Sequence, residues 1–263
     1  IRPLLSPEAF QKEKLVVLQE MGASHDRGAS LYDHFIRHLW QENLLCNPVN
    51  GTLEGVRDAN LEALSAFYQG RCVSENTVVV ICGDVASDRA AILAEQVFAD
   101  LPTGPEQPPI PVTEPEIHHP RGTHLPQKTN RNYLLLGVPT VGLKHPHRSA
   151  LKIIELVVGM GASGRLYRRL RQALGLVYNV NVVSSVYEDT GFLAVHAVCE
   201  PEKLTVVQDV ILDMWGEIRE NGITEEELNA AKGNYAGTLA RRFETNLSVA
   251  GIFGIEGLLH DVE

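Results

Sequence analysis

The sequence contains no apolar run close to the ~18 residues that a membrane-spanning helix requires. Positive charge is also scarce: the formal net charge is −10, which argues against nucleic acid or an anionic membrane as the main partner. The four cysteines include no Cys-x-x-Cys pair, so reduced thiols are favoured over a disulfide framework or a zinc knot. These absences predict a soluble protein and leave its compartment open, whether cytoplasmic or periplasmic.

The composition itself is that of an ordinary globular protein, since 44% of the residues are hydrophobic and 21% are charged. A proline-rich stretch with little periodicity, 105–126, is typical of a linker. We therefore predict one domain over 1–104 and a second over 127–263. Both domains are expected to be incomplete, because the sequence begins with Ile1 rather than methionine and stops without a closing element.

Local patterns predict an alternation of helices and strands. Ser6-Pro7-Glu8 combines an N-cap, a proline at the first helical position and an acid in the first turn, which is typical of a helix start. A β-branched run from Asn76 to Gly83 predicts a buried strand. The remaining predictions are helices over about 7–21, 29–45, 60–69, 87–99, 148–158, 201–220 and 224–245, a helix ending near 175, turns over 47–55, and strands over 133–138, 178–186 and 192–198. This order predicts an α+β two-layer sandwich.

Two glutamates on the first predicted helix, Glu13 and Glu20, lie seven residues apart. Seven steps of about 100° return to nearly the same helix face, with the side chains about 10 Å apart along the axis. One carboxylate could ligate a metal while the other supports it from outside the coordination sphere. Two solvated glutamates are the more ordinary interpretation of this spacing, and the helix alone does not decide between them.

Arg171 and Tyr178 are also seven residues apart, on either side of a predicted corner between a helix and a strand. Gly175 allows the chain to turn sharply between them. Such a corner can aim a guanidinium and a phenol at one point, where they would donate to a carbonyl or a developing oxyanion. A purely structural role for both side chains is the alternative.

His34 and His38 have the i, i+4 spacing of a metal-binding pair on a helix. However, Arg37 stands between them where a hydrolytic site would carry a carboxylate base, and a cation beside two ligands repels a metal ion. We therefore expect no zinc site at these histidines.

Taken in order, these segments resemble the pitrilysin/insulinase family of inverted-motif zinc peptidases along essentially the whole chain. Glu13 to Glu20 is similar to the family helix that carries the third zinc ligand. Gly159 to Tyr178 is similar to the glycine-rich turn and the Arg/Tyr motif of the second repeat. Further similar segments are Asn50 to Val56, Leu64 to Tyr68, Val78 to Asp84 and Thr224 to Lys232.

The resemblance implies two related α+β sandwich repeats of the metallohydrolase-like, pitrilysin type, both incomplete in this chain. It implies Glu20 as a zinc ligand and Glu13 as its support. It also implies that Arg171 and Tyr178 contact the substrate carbonyl and stabilise the tetrahedral intermediate. Substrates would be unfolded peptides, and the protein would form a homodimer or a heterodimer with a related subunit.

One departure from the family pattern limits what the chain can do: its His-x-x-Glu-His motif is absent. One carboxylate cannot hold Zn²⁺, whose catalytic sites take three protein ligands, and without the general base no water is activated. We therefore expect a zinc-dependent endopeptidase in which Zn²⁺ is bound by the complete protein or complex, while this chain alone is inactive. The alternative is a non-catalytic relative that acts as a structural or substrate-binding subunit of an active peptidase.

Replacing His34 and His38 together with alanine should leave the zinc content of the complete protein unchanged, because neither side chain is an expected ligand. Metal analysis of the purified variant and of the unaltered protein would check this. A variant that lost its zinc while staying folded would contradict the assignment.

Overall fold

The computed structural model describes residues 3–25, 29–41, 43–107, 110–112, 117, 119–126 and 128–259. The chain folds into two compact units. The first unit comprises Ile1–His25, Val49–Ile110 and Thr238–Glu263, and the second comprises Asp26–Pro48 and Pro111–Gly237. Each unit therefore draws on sequence from both sides of the proline-rich stretch. The division into repeats at 1–104 and 127–263 stays a prediction.

Nine α-helices and three β-strands form within the described residues, which confirms the predicted α+β class. The helices are α1 (Pro7–His25), α2 (Ala29–Trp40), α3 (Leu53–Asp58), α4 (Leu61–Arg71), α5 (Ser87–Phe98), α6 (Arg148–Gly159), α7 (Leu204–Asn221), α8 (Glu225–Arg242) and α9 (Asn246–Leu259). The strands are β1 (Asn132–Val141), β2 (Val177–Val186) and β3 (Thr190–Cys199). Over the described part of the chain, no helix combines the length and the apolar character needed to cross a membrane.

Most helices form close to their predicted positions, and α1 begins as its sequence indicates. The Ser6 hydroxyl accepts a hydrogen bond from the Ala9 N–H at 3.1 Å, which makes it an N-cap. Two helices were not predicted from the sequence. The first is α3, which lies in the stretch interpreted as turns and begins at a Thr52 cap. The second is α9, which begins where Thr245 Oγ1 accepts from the Ser248 N–H at 3.2 Å.

The predicted strand from Asn76 to Gly83 is wrong. Residues 74–76 form a 3₁₀ turn, and the run that follows, 77–82, joins no β-ladder with another described residue. Three of its apolar side chains are exposed: Val78 by 42%, Val79 by 42% and Ile81 by 48%. The β-branched composition favours an extended backbone, but a strand also needs a neighbouring strand to bond with. The run therefore forms no sheet with the described residues, although Thr77 at its start has an extended backbone.

The three strands form one antiparallel sheet in the order β1-β3-β2. Pairing between β1 and β3 runs without a break from Asn132–Cys199 to Val141–Thr190. Every residue of the central strand β3 is buried except His196, which is partly exposed. The predicted strands and the predicted adjacency of β2 and β3 are thus confirmed in the second unit.

Helices cover both faces of this sheet. One face packs into an aliphatic core with α6, α7 and the segment between α6 and β2; its members include Val158, Leu166, Leu170, Val195, Ala197, Val207 and Ile211. The other face is covered in part by α2, through contacts among Ile36, Leu39, Trp40, Phe192 and Ala194. Each large aliphatic side chain buried in this way contributes about 1.5–3 kcal/mol, so the two layers hold the sheet rigidly.

The glycine-rich turn after α6 is required by close backbone contacts. A methyl group at Gly164 would lie 2.7 Å from the Met160 nitrogen and 2.7 Å from the Val158 oxygen, so only glycine fits there. The predicted helix that follows is confirmed in position, but residues Tyr167–Ala173 form a π-helix. A π-helix is rare and often marks a functional site.

Glu227 anchors the segment that carries this π-helix. Arg165 Nε and Nη2 donate to its two carboxylate oxygens, each at 2.6 Å. The same carboxylate accepts from the Thr224 N–H at 2.9 Å, while Thr224 Oγ1 accepts from the Glu227 N–H at 3.2 Å, which is a capping box. Glu227 therefore caps the N-terminus of α8 and also holds the Arg165 guanidinium in place.

Replacing Glu227 with glutamine should lower the free energy of unfolding at pH 7 by about 1–3 kcal/mol, because it removes a charge-assisted pair. The hydrogen bonds from Arg165 hold the pKa of Glu227 at about 2, below its ordinary value of 4.5. A depressed pKa in the folded state stabilises the fold above the unfolded-state pKa, and this contribution is lost as the pH falls from about 5 toward 2. Urea unfolding at several pH values should therefore show the variant and the unaltered protein converging in acid.

The matched control is Glu226→Gln, which alters an exposed acid in the same helical turn. Its free energy of unfolding should stay within about 0.5 kcal/mol of the unaltered protein. Equal losses from both variants would mean that the Arg165 pair contributes nothing specific.

Candidate functional site

Arg171 and Tyr178 flank the corner between the π-helix and β2. Arg171 Nη1 donates to the Val177 carbonyl at 2.6 Å, so its guanidinium lies against the backbone immediately before Tyr178. Gly175 turns the chain between them with a φ of +58°, a conformation that favours glycine. The predicted corner is thus present, and it places Arg171 beside the strand residue that precedes Tyr178.

Tyr178 occupies an irregular position on β2. The register shifts between the pairs Val177–Cys199 and Asn179–Val198, so Tyr178 is the extra residue of a β-bulge. A bulge bends the strand and re-aims a side chain. The Tyr178 side chain is 44% exposed and lies outside the packed core.

Charged groups surround the Tyr178 ring. Its hydroxyl donates to Glu200 Oε1 at 3.0 Å, and the Arg131 guanidinium carbon lies 4.4 Å from the ring centroid, within cation–π range. Lys203 Nζ donates to Glu200 Oε2 at 2.9 Å. The bonds from Lys203 and then from Tyr178 hold the pKa of Glu200 below its ordinary value, and the same carboxylate raises the pKa of Lys203. Tyr178 is therefore held in an ordered network of charges.

A second polar group lies further along the same sheet. His196 on β3 is the register partner of Asn181 on β2, and His196 Nδ1 lies 3.2 Å from Asn181 Oδ1. The Tyr133 ring centroid is 6.3 Å from that of His196. Burial lowers the pKa of His196, which favours its neutral form near pH 7. These side chains give the sheet face a hydrogen-bonding surface.

Glu13 and Glu20 are both exposed on α1, in the first compact unit, whereas Arg171 and Tyr178 belong to the second. Lys14 donates to the carbonyls of Arg57 and Ala59, at 2.8 Å for Ala59, which ties α1 to the end of α3. Beside this contact lies a largely apolar cavity of about 490 Å³ lined by Leu4, Leu5, Ala9, Phe10, Glu13, Lys14, Val17, Gly55, Val56, Ala59 and Leu64. The metal-related roles of Glu13 and Glu20 stay predictions.

The residues that the structure describes do not fit a zinc site. Among them, no three His, Cys, Asp or Glu side chains are grouped closely enough to hold a metal ion. Glu20 offers one exposed carboxylate, whereas a catalytic zinc takes three protein ligands. In the histidine pair on α2, His38 Nδ1 lies 2.9 Å from the His34 carbonyl, so this ring nitrogen is engaged by the helix backbone.

Sequence reasoning missed Arg131 and Glu200, which contact Tyr178 from 47 and 22 residues away along the chain. Glu200 precedes Pro201 and has the pattern of a helix start, which conceals any other role. Counting the hairpin register outward from the predicted turn between β2 and β3 would have brought Glu200 near Tyr178. No comparable signal points to Arg131, because its position depends on how β1 pairs with β3.

The chain resembles bacterial proteins that are named zinc proteases. It is 31% identical over 239 residues to an uncharacterized zinc protease of Mycobacterium leprae, a match covering 90% of this chain and 54% of that protein. It is 25% identical over 240 residues to YmxG of Bacillus subtilis, also named an uncharacterized zinc protease, and this match covers 91% of this chain and 58% of that protein. The chain thus spans about half the length of the curated relatives it matches.

Solved structures share the fold. A protease from Helicobacter pylori gives a TM-score of 0.86 at 20% identity, covering 97% of this chain and 63% of that one. A peptidase M16 inactive domain from Pseudomonas fluorescens gives a TM-score of 0.84 at 22% identity, covering 98% and 61%. A chain of complex III2 from Candida albicans gives 0.81 at 20% identity, covering 96% and 62%. At these identities the likeness shows the fold alone.

A family model described as the peptidase M16 inactive domain matches residues 58–235. The matched part includes the glycine-rich turn, Arg171 and Tyr178, whereas Glu13 and Glu20 lie before it. The match confirms the family resemblance drawn from the sequence. The matched model covers well over half of the residues of this chain. The chain therefore belongs to the peptidase M16 family, within the part described as the inactive domain.

Proposed function

We propose that this chain is the part of a zinc-dependent endopeptidase that holds an unfolded peptide and stabilises the charge developing on its carbonyl oxygen. The placement of Arg171 and Tyr178 around one surface corner carries this proposal. The names of the bacterial relatives support the zinc-peptidase class. The matched family model is described as an inactive domain, which agrees with a chain that supports the reaction instead of carrying it out alone.

The chemistry of the two side chains suits this task. A guanidinium carries a permanent charge and five N–H donors, of which the bond to Val177 uses one. The Tyr178 phenol supplies one O–H donor. Two such donors at a carbonyl oxygen polarise it and stabilise the oxyanion of a tetrahedral intermediate, and losing one donor of this kind typically costs about 10²–10³ in kcat.

The remaining zinc ligands and the general base would come from outside the described residues, since these residues by themselves do not form a zinc site. Glu20 is proposed as one ligand and Glu13 as its supporting carboxylate. A His-x-x-Glu-His motif from the remainder of the complete protein would complete that site. The proposed assembly is a homodimer or a heterodimer with a related subunit.

A second candidate function is a non-catalytic subunit that binds substrate or supports the structure of an active peptidase. The inactive-domain description of the matched family model favours it. One solved structure with this fold belongs to complex III2 of Candida albicans, a multi-chain assembly. In this case peptidase activity would appear only when a second polypeptide is added.

Tyr178→Phe in the complete protein should lower kcat/KM for a peptide substrate by about 100-fold, because the phenol donor to the oxyanion is lost. Zinc content should not change, because the phenol is not a proposed ligand. The control is Tyr235→Phe, a tyrosine on α8 that is 37% exposed, and it should retain full activity. Full activity of Tyr178→Phe would refute the proposed role.

Metal analysis of the complete protein, purified alone, separates the two candidate functions. The endopeptidase proposal expects bound zinc and peptide cleavage without a second polypeptide, or with the same polypeptide as its own partner. A complete protein that binds no zinc would rule this proposal out. A complete protein that binds no zinc and shows cleavage only after a related subunit is added would support the non-catalytic candidate.

A further inference from the structure

The Tyr178 phenol already has an acceptor within the fold. A phenol carries one proton, and Tyr178 donates it to Glu200 Oε1 at 3.0 Å. A substrate carbonyl that needs this proton must therefore displace Glu200. Building on the proposed function, we propose that the Glu200 carboxylate is a resting-state latch, which holds the Tyr178 phenol and releases it to the substrate carbonyl.

The acceptor side of this contact is fixed to the sheet. Glu200 directly follows Cys199, a buried residue at the end of the central strand β3. Pro201 restricts the backbone immediately after it, and Lys203 Nζ holds the second carboxylate oxygen at 2.9 Å. Glu200 thus presents one oxygen to Tyr178 while its other oxygen is engaged.

On the donor side, the Tyr178 ring has a contact of its own that is separate from the hydroxyl. Arg131 lies over the ring face, 4.4 Å from the centroid, and this contact does not use the hydroxyl proton. Tyr178 is also the extra residue of a β-bulge and is 44% exposed, so its side chain is not packed into the core. Arg131 can keep the ring in place while the hydroxyl changes its acceptor.

The expected change in kcat/KM depends on how strongly Glu200 competes with the substrate carbonyl for the Tyr178 hydroxyl proton. A hydrogen bond to a charged acceptor is stronger than one to a neutral carbonyl, although exposure to water reduces the difference. Removing the carboxylate should therefore raise kcat/KM by about three- to tenfold. Glu200→Gln keeps a neutral acceptor at the same place and should give a smaller increase.

The test uses the complete protein and a fluorogenic peptide substrate. Glu200→Ala should raise kcat/KM, and the matched control Glu202→Ala, which removes an exposed charge two residues away, should not. In a Tyr178→Phe background, Glu200→Ala should have no effect, because the latch acts only through the phenol. A merely structural Glu200 would instead lower kcat/KM by the same factor in both backgrounds, which would overturn the proposal.

A spectroscopic readout tests the contact without relying on activity. In protein labelled with 3-fluorotyrosine, the ¹⁹F resonance that disappears in Tyr178→Phe belongs to Tyr178. That resonance should shift in Glu200→Ala and Glu200→Gln, and it should stay in place in Glu202→Ala. An unshifted resonance would overturn the latch even if the activity had changed.

Failure of the latch and failure of the proposed function give different results. If Tyr178→Phe loses activity while Glu200→Ala and Glu200→Gln leave kcat/KM unchanged or lower it, the latch is wrong and the role of Tyr178 stands. If Tyr178→Phe retains full activity, the oxyanion role is wrong and the latch falls with it.

Discussion

The register of the β2–β3 hairpin determines the position of the candidate site. β3 is the central strand of the sheet and is buried under helices on both faces, so its partners cannot shift without exposing a large apolar area. That register, with one bulge at Tyr178, sets the phenol next to Glu200. The pairing of β1 with the same strand leads the chain to Arg131, over the Tyr178 ring. The contacts of the candidate site thus follow from a packing constraint.

The position of Arg171 is determined by a different set of contacts. The glycine-rich turn admits no side chain at Gly164, and Glu227 fixes Arg165 at the entrance to the π-helix. The π-helix then ends at the corner where Arg171 meets the Val177 carbonyl. Donors carried on rigid elements keep their geometry with little motion, which is what stabilisation of a transition state requires. The two proposed donors are therefore positioned independently, Arg171 by the π-helix and Tyr178 by the strand register, and both lie at the same corner.

Local sequence patterns predicted what depends on local forces. The cap at Ser6, the β2–β3 hairpin and the acidic start of α8 are all encoded within a few residues, and all three formed. Features that depend on distant partners could not be predicted. The run after Asn76 has the composition of a strand but no neighbouring strand among the described residues, and no spacing rule reveals a π-helix or the contact between Arg131 and Tyr178. The spacing of Glu13 and Glu20 likewise indicates a shared helix face and nothing about what lies opposite.

Within the part of the chain that the structure describes, the run 77–82 pairs with no strand, and its exposed Val78, Val79 and Ile81 side chains resemble an uncovered sheet edge, on which another extended chain can pair. Newly made copies presenting such edges to one another would associate into ordered aggregates. Chaperones would bind this surface, and proteases would degrade copies that remained uncovered.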